Sequence, residues 1–323
     1  MVSPYRQQPA SNGATATIQE HLAVAQMQQV LATLSAQPAL FEEAGFAGRA
    51  DALDELELHV TDRLAGLLEA GDSAALRHLH QQAEALQARL EALDQQLFRW
   101  LRAAIRAGQY PPAALRALLA ALVGPTGLPT GPGAGEATSY DSLDVLTNGL
   151  LGEVAPPQPT VALAPEMVYY QKTPARIIWE LTANITPQDT FYDLGSGLGQ
   201  VPLLVRLLSG ATVRGVEIEP AYCRYAQACA DALGLTSGVQ FHCADARSLA
   251  YADGSIFFFF TPFTGHILTS VLAQLARVAQ HKPLRIFSYG PGTQELARQP
   301  WLRRLGPPAS SLYQLAEFAV QAA

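Results

Sequence analysis

The sequence predicts an all-α helical domain followed by a seven-stranded α/β sandwich. Residues 1–123 are rich in Ala, Leu and Gln and nearly lack clusters of β-branched residues, which is typical of helices. From residue 165 onward, short apolar segments alternate with segments of helical spacing, as in a sheet flanked by helices. We therefore predict a helical domain over 1–123, a linker and lead-in segment over 124–164, and an α/β domain over 165–323.

Residues 1–123 contain four segments of helical spacing. They run from Thr15 to Ala36, from Asp51 to Glu69, from Ser73 to Ala107 and from Pro112 to Val123, with Asp72 or Ser73 as the expected N-cap of the third. Leucines of the third segment recur every three or four residues and form an apolar stripe that needs a partner surface. An antiparallel bundle or a homodimer would bury this stripe, so we expect the domain to recognise a substrate or to dimerise.

The stretch 124–135, rich in Gly and Pro, is typical of a flexible linker and predicts a domain boundary. Beyond it, 140–151 has helical spacing and 156–159 is predicted to be extended, so this lead-in segment is expected to pack beside the α/β domain. Tyr140, Asp141 and Asp144 are candidates for substrate contact, with a solvated, capped helix as the alternative reading.

The segment Phe191–Val201 predicts a strand that runs into a glycine-rich turn opening a helix, the geometry of a nucleotide-type cofactor site. Its glycines, Gly195, Gly197 and Gly199, allow positive φ and close approach of a ligand. The dinucleotide fingerprint needs its third glycine where this chain has Gln200. Asp193 can accept hydrogen bonds from the ammonium of a methionyl group, whereas its charge would repel a pyrophosphate. The pattern favours S-adenosyl-L-methionine over NAD.

The next two predicted strands supply further ligands. Thr212–Glu217 ends in an acid about 20 residues past the glycine turn, where ribose hydroxyls are usually bound. Val239–Ala246 alternates apolar and polar residues and ends in Asp245, which could accept a hydrogen bond from the adenine amine. The residues predicted from these three strand ends to bind the cofactor are Asp193, Gly195, Ser196, Gly197, Gly199, Gln200, Glu217, Ile218, Asp245 and Ala246.

Over about residues 165 to 320, these motifs resemble the class I S-adenosylmethionine-dependent methyltransferases, a family with a Rossmann-like sheet. Asp193–Gly197, followed by Gly199-Gln200-Val201, resembles motif I of the non-SET histone lysine methyltransferases of the disruptor-of-telomeric-silencing type. Tyr170–Pro174 resembles the Tyr-x-x-Thr-Pro motif of bacterial methyltransferases related to the mitochondrial lysine methyltransferase of ATP synthase subunit c. Both resemblances imply a protein lysine as methyl acceptor.

Thr173 and Pro174 predict a helix start, with the threonine hydroxyl as N-cap and the proline in the first helical position. The resemblance implies that this helix start lies over the cofactor and that Tyr170 or Thr173 reaches its methionyl end. The alternative is that Thr173 is a plain cap.

The run Ile256–Phe260 predicts a strand buried on both faces, and hence the central fourth strand. Its phenylalanines are predicted to be core. The resemblance implies that residues after this strand face the acceptor, which makes Thr261, Pro262 and Phe263 candidates. The chain has neither the Asn/Asp-Pro-Pro-aromatic motif of enzymes that methylate planar amide or exocyclic amino nitrogens nor the paired asparagines of the histone enzymes. The resemblance therefore supports carry-over of cofactor binding and leaves the acceptor chemistry open. The catalytic candidates are Tyr170, Thr261 and Phe263, and Thr261 is also a cofactor candidate.

The remaining α/β elements are predicted as a helix from His266 to Ala279 and strands over Leu284–Tyr289, Trp301–Leu305 and Leu312–Val320. The resemblance implies that the last strand is antiparallel.

Composition limits the possible partners and site types. The formal net charge of −7 disfavours a nucleic-acid substrate. Met1–Ala10 lacks a signal-peptide pattern and no stretch reaches the roughly 18 apolar residues of a membrane span, so no membrane association and a cytoplasmic location are expected. The three cysteines form no C-x-x-C pair and the histidines show no metal-ligand spacing, so neither disulfides nor a metal site are predicted.

These observations predict a methyltransferase in which a neutral acceptor nitrogen or oxygen attacks the activated methyl group in line. A lysine is favoured over a hydroxyl because it can lose its proton to solvent, and the sequence offers no identifiable side-chain base. The alternatives are a small-molecule N- or O-methyltransferase with a helical lid, or a non-catalytic cofactor-binding scaffold.

Overall fold

The structure, a computed structural model, describes residues 12–71, 73–129, 141–152, 155–306 and 311–321. Met1–Ala10, Asp72, linker residues 130–135 and Tyr140 lie outside the described residues, so the predictions made for them have no structural counterpart. The chain forms two compact units, Met1–Leu97 and Phe98–Ala323.

The first unit contains helices α1 (Asn12–Ser35), α2 (Phe46–Leu56), α3 (Asp62–Ala70) and most of α4 (Ala74–Arg106). The segment predicted as one helix over 51–69 is interrupted by a π-helical turn, Glu57–Thr61. Ser73 caps α4, because its Oγ accepts a hydrogen bond from Leu76 N at 3.1 Å.

The leucine stripe of α4 is buried within the first unit. Its members from Leu76 to Leu90 pack with Met27, Leu31 and Leu34 of α1 and with Leu56 and Leu64 of α2 and α3. An internal helical bundle therefore covers this part of the stripe, as one of the two predicted arrangements requires.

An ion pair is buried in the same unit. Arg49 Nε lies 2.6 Å from Asp94 Oδ1, and the two side chains are 1% and 5% exposed. Arg49 also donates to the carbonyls of Leu40 at 3.1 Å and Glu42 at 2.6 Å. Burial raises the pKa of Asp94, against the lowering effect of Arg49. Arg49 thereby ties the turn after α1 to helix α4.

The second unit is built on a seven-stranded sheet in the order β3-β2-β1-β4-β5-β7-β6. The strands are β1 (Thr190–Leu194), β2 (Thr212–Glu217), β3 (Val239–Cys243), β4 (Ile256–Phe259), β5 (Arg285–Ser288), β6 (Leu302–Leu305) and β7 (Ala316–Val320). The first five are parallel, and β7 is antiparallel to both neighbours. The predicted α/β sandwich with β4 at its centre is confirmed, and so is the antiparallel last strand.

Helices cover both faces of this sheet: α5 (Pro112–Val123), α6 (Ser142–Leu151), α7 (Ala175–Leu181), α8 (Gln200–Ser209), α9 (Pro220–Ala232), α10 (Gly265–Ala279) and α11 (Thr293–Ala297). All four residues of β4 are buried, because apolar side chains cover both its faces. No helix of the described ranges combines the length and apolar character needed to cross a membrane.

Helix α5 lies in the second unit, although the predicted helical domain extended to residue 123. The guanidinium of Arg116 stacks over the Trp179 ring at 3.9 Å and donates to Trp179 O at 2.9 Å and Thr182 Oγ1 at 2.7 Å. Composition could not reveal this division, because α5 is as rich in Ala and Leu as the helices before it.

The start of α7 differs from the prediction. The helix begins at Ala175, so Pro174 rather than Thr173 occupies the N-cap position. The carboxylate of Asp144, on α6, accepts the Ala175 N–H at 2.8 Å and replaces the threonine hydroxyl as the capping group. Asp144 also forms a capping box with Asp141 at the start of its own helix. Burial raises the pKa of Asp144 to about 6.

Candidate cofactor and acceptor site

A cavity of about 410 Å³ opens at the carboxyl ends of β1, β2, β3 and β4. This is where the strand order reverses, with β2 on one side of β1 and β4 on the other, the usual ligand position in open α/β sheets. All the residues predicted to bind the cofactor line this cavity except Gly197 and Gly199. The catalytic candidates Tyr170, Thr261 and Phe263 line it as well.

The three glycines of the turn after β1 all have positive φ, at +81°, +51° and +81° for Gly195, Gly197 and Gly199. A Cβ at Gly195 would lie 2.1 Å from Pro262, and one at Gly197 would lie 2.3 Å from the Tyr170 ring. A Cβ at Gly199 would lie 2.6 Å from Ala226. In the structure these glycines therefore allow close packing of the turn against protein, in addition to the positive φ that the sequence predicted.

Asp193 is 3% exposed, and its carboxylate accepts no hydrogen bond from any described residue. Burial raises the pKa of Asp193 well above its ordinary value, and the nearby charge of Glu217 raises it further. Two other cavity residues, Ser196 and Gln200, have buried side-chain polar atoms without a hydrogen-bond partner in the described ranges. Such groups are costly unless something satisfies them, so they are suited to a polar ligand.

The carboxylate of Glu217 holds the turn in shape. Oε1 accepts the backbone N–H groups of Ile218 at 2.8 Å and Glu219 at 2.9 Å, and Oε2 accepts that of Gly197 at 2.8 Å. A carboxylate oxygen has two lone pairs, so Oε2 can accept one further hydrogen bond.

Strand β3 ends at Cys243, three residues before the predicted end. Asp245 follows in a turn, where its carboxylate accepts hydrogen bonds from Arg247 N at 2.8 Å and from the Arg247 guanidinium at 2.6 Å. Asp245 and Ala246 line the cavity, but the Asp245 carboxylate is largely engaged by Arg247.

Thr261 has an unusual backbone, with φ of +41° in a region that β-branched residues avoid. Its hydroxyl accepts the Gly292 N–H at 3.0 Å and lies 3.4 Å from the carbonyl of Tyr289. The Thr261 side chain therefore fixes the loop after β5. Strained residues are common at functional sites, and this one lies directly beyond the central strand.

The other catalytic candidates present aromatic surface to the cavity. The Tyr170 ring lies against Gly197 and meets the Tyr222 ring edge-on at 5.6 Å between centroids. Phe263 is buried, meets Phe259 edge-on at 6.2 Å, and forms an isolated backbone bridge with Met167. Thr173, which does not cap α7, is buried and lines the cavity.

Sequence reasoning missed most of the segment 160–173, which we call the strap and which contributes Leu163, Met167, Val168, Tyr169 and Gln171 to the cavity wall. Its backbone is held at separate points by the side chain of Glu219 and the backbone carbonyl of Pro262. Glu219 accepts Thr160 N at 2.6 Å, Val161 N at 2.7 Å and the Thr160 hydroxyl at 2.8 Å. Val168 N donates to Pro262 O at 3.1 Å.

A second carboxylate, on the strap itself, fixes the strap to α10. Glu166 accepts the N–H groups of His266 at 2.8 Å and Ile267 at 3.2 Å, at the start of that helix. The strap has no hydrophobic periodicity, so the only sequence signal for its position was the Tyr-x-x-Thr-Pro motif near its end.

The charges of the cavity wall have one sign. Asp193, Glu217 and Asp245 are carboxylates at the ends of β1, β2 and β3, and no Lys, Arg or His occurs among the described residues that line the cavity. The wall formed by β4, the loops after β4 and β5, and the strap is uncharged. This distribution favours a ligand with positive charge at one end and disfavours a pyrophosphate.

Solved structures similar to this chain include three methyltransferases. The RNA methyltransferase from Salinibacter ruber, in complex with S-adenosyl-L-homocysteine, is 20% identical with a TM-score of 0.35, covering 46% of this chain and 94% of that chain. The magnesium protoporphyrin IX methyltransferase from Synechocystis PCC 6803, with bound S-adenosylmethionine, is 17% identical with a TM-score of 0.35, covering 45% and 76%. A methyltransferase from Thiobacillus denitrificans, in complex with S-adenosyl-L-homocysteine, is 20% identical with a TM-score of 0.30, covering 38% and 53%.

Sequence comparison gives a more local result. A comparison with curated proteins returned no significant match. Residues 191–282, from β1 to the end of α10, match a protein-family model described as a methyltransferase domain. This match spans the strand ends that form the acidic part of the cavity wall. The part of the second unit from β1 to α10 is therefore similar to a methyltransferase domain, and it contains the strand ends that carry Asp193, Glu217 and Asp245.

Proposed function

We propose that this protein transfers a methyl group from S-adenosylmethionine to the side-chain nitrogen of a protein lysine. The observation that carries the proposal is the division of one cavity into two kinds of wall. Carboxylates and unsatisfied polar groups lie at the ends of β1 to β3, whereas the wall formed by β4, β5 and the strap is uncharged and partly aromatic.

The acidic wall suits the cofactor. We propose that Asp193 accepts hydrogen bonds from the cofactor's ammonium, because an ionised carboxylate in a buried site needs a cationic donor. Ser196 and Gln200 offer the unsatisfied donors and acceptors that a carboxylate or amine requires. Glu217 would accept a ribose hydroxyl through the remaining capacity of Oε2, and Asp245 the adenine amine.

When bound, S-adenosylmethionine supplies a methyl group activated by a sulfonium. The acceptor nitrogen, in its neutral form, uses its lone pair to form the new N–C bond as the S–C bond breaks, and the electrons of that bond remain on sulfur. The methylated ammonium then loses its proton to water. Tyr170, Thr261 and Phe263 are proposed to position the acceptor, so the protein contributes mainly orientation and exclusion of water.

The uncharged wall favours an amine acceptor. Burial of a lysine amine beside apolar and aromatic groups lowers its pKa, which increases the neutral fraction that can attack. A hydroxyl acceptor would need a base, and the cavity carboxylates lie at the ends of β1 to β3, on the cofactor side.

The proposal is tested in two steps. Calorimetric titration should show binding of S-adenosylmethionine and S-adenosylhomocysteine and no competition by NAD. Bacterial protein lysates incubated with the enzyme and methyl-labelled cofactor should then yield labelled methyllysine after hydrolysis. Label found only in small molecules, or in another amino acid, would show that the acceptor is not a protein lysine.

A further inference from the structure

We infer that the acceptor lysine is recognised through apolar residues that flank it in the acceptor protein, and not through neighbouring charges. The inference rests on the proposed function and names the class of protein segment that this site accepts. It follows from the side chains around the cavity mouth, from the charges there, and from the way the strap is held.

Large apolar side chains are exposed around the cavity mouth. On the strap, Val161 is 37% exposed, Leu163 38%, Val168 42% and Tyr169 80%. On the segment before β7, Leu312 is 42% and Tyr313 37% exposed, and Gly290 N donates to Leu312 O at 3.0 Å, which joins this segment to the loop after β5. We call these six residues the apolar rim. Exposed apolar groups that gather beside a cavity mark a binding surface rather than scattered surface residues.

Four of the six rim residues, Leu163, Val168, Tyr169 and Tyr313, also line the cavity. The apolar surface therefore continues from the cavity wall out onto the protein surface. A small acceptor enclosed in the cavity would leave Val161 and Leu312, which do not line it, without a role. A polypeptide segment that crosses the mouth would contact both.

Charged groups near the rim are engaged by the protein itself. Glu166 caps α10 and Glu219 holds the strap. Lys172 Nζ donates to Asn148 Oδ1 at 3.1 Å, and Arg247 forms an ion pair with Asp245. Three of these four charged groups, Glu166, Glu219 and Arg247, are thus held by charge-assisted contacts within the protein, and only Lys172 is paired with a neutral group. The charges named here are therefore less suited than the apolar side chains to select flanking residues.

The apolar rim is also held in place before an acceptor arrives. The backbone of Thr160 and Val161 is tied to Glu219, and that of Val168 to Pro262. Binding then has to order little of this part of the strap backbone, so apolar contact can contribute to affinity with a smaller loss of backbone entropy.

The test uses the full-length protein and four matched peptides, each with one central lysine. In the first peptide the lysine is flanked by Leu and Phe, and in the other three it is flanked on both sides by Ser, by Glu or by Arg. Methyl transfer to each peptide is measured as kcat/KM. Phenethylamine, a small apolar amine, is tested in the same way as an acceptor without a polypeptide. We expect the Leu/Phe peptide to exceed each of the others by about tenfold or more, because burial of one large apolar side chain gives at least that factor.

Substitutions in the apolar rim provide the second part of the test. Val161→Ser and Leu312→Ser should each lower kcat/KM for the Leu/Phe peptide several-fold more than kcat/KM for the Ser peptide, while cofactor affinity in calorimetry stays within about twofold of the unmodified protein. Leu58→Ser, at a 62% exposed leucine of the first unit, is the matched control and should change nothing.

The outcomes separate the two proposals. Equal rates for all peptides, preference for charged flanks, or rim variants without effect would overturn the apolar recognition and leave lysine methylation standing. Faster methylation of phenethylamine than of every peptide would replace the protein segment by a small apolar acceptor. Cofactor binding without transfer to any lysine peptide would overturn the proposed function, and this inference with it.

Discussion

At the scale of single residues, Asp193 is in an environment that disfavours its charged form. Its carboxylate is buried, lies near the charge of Glu217, and accepts no hydrogen bond from the described residues. The raised pKa records this penalty. A cation bound beside Asp193 would offset both the burial and the repulsion, so we propose that Asp193 lowers the stability of the ligand-free protein and favours cofactor binding.

The substitution Asp193→Asn separates these two effects. The neutral amide avoids burial of a charge, so the ligand-free protein should unfold at a higher temperature. Affinity for S-adenosylmethionine should fall about 10- to 100-fold, the loss expected when a hydrogen bond to a charged group is removed. Thermal unfolding and calorimetric titration measure the two quantities, and Asp51→Asn on the exposed face of α2 serves as control. Unchanged affinity in Asp193→Asn would remove Asp193 from the cofactor site.

At the scale of elements, the strap and α7 are positioned by carboxylates that lie far away in the sequence. Glu219 holds Thr160 and Val161, and Asp144 caps α7. Local sequence signals could not reveal these links. The Thr173-Pro174 pair is a good local helix start, yet the acceptor for Ala175 N–H comes from Asp144, 31 residues earlier. The strands were predictable because each is a short apolar run bounded by turn residues.

The attachment of the strap to Glu219 can be tested directly. Burial opposes the charge on Glu219, but its hydrogen bonds with Ala221, Val161 and Thr160 outweigh burial and lower its pKa from 4.5 to about 2. Its stabilising contribution is thus present above pH 4.5 and is lost as the pH falls through about 2. Glu219→Ala should speed amide hydrogen exchange at Thr160 and Val161 at pH 7.

Because the strap carries part of the apolar rim, Glu219→Ala should also reduce kcat/KM for a lysine peptide. Glu180→Ala, which removes a carboxylate elsewhere in the second unit, provides the comparison. Unchanged exchange at residues 160–163 would show that other contacts suffice to hold the strap.

The pKa of Asp144 is shifted in the opposite direction to that of Glu219. Its pKa in the folded protein is raised from 3.8 to about 6, so the folded state binds a proton more tightly than the unfolded state. The resulting stabilisation is complete below pH 3.8 and is lost as the pH rises through about 6. The Asp144 contribution therefore makes the second unit less stable at pH 7 than at pH 5.

Asp144→Asn removes this titration and should reduce the loss of stability between pH 5 and pH 7 by about 1 kcal/mol. Denaturant unfolding at a series of pH values measures the effect. Asp141→Asn, at the more exposed member of the capping box, is the control. An unaltered pH profile for Asp144→Asn would mean that Asp144 is ionised throughout this range.

At the scale of the whole molecule, the two units have separate hydrophobic cores. Leucines of α1 to α4 form the core of the first, and the two faces of the sheet form that of the second. The strands of the sheet and the central place of β4 were predictable from short apolar runs, and the antiparallel last strand was implied by the resemblance. The division of the chain does not follow from composition. The composition of α5 is typical of a helical domain, whereas its contacts, among them Arg116 stacked on Trp179, assign it to the second unit.

Separate cores predict separate unfolding transitions in scanning calorimetry. Arg49→Met leaves Asp94 buried without its partner and should destabilise the first unit by about 3–5 kcal/mol. S-adenosylmethionine at about 100 times its Kd should stabilise only the second unit, by about 2.7 kcal/mol. The double variant Arg49→Met/Asp94→Leu should recover most of the stability that Arg49→Met alone removes, since no unpaired charge then remains buried. If cofactor and Arg49→Met shift the same transition, the two units unfold together and the prediction of separate transitions is wrong.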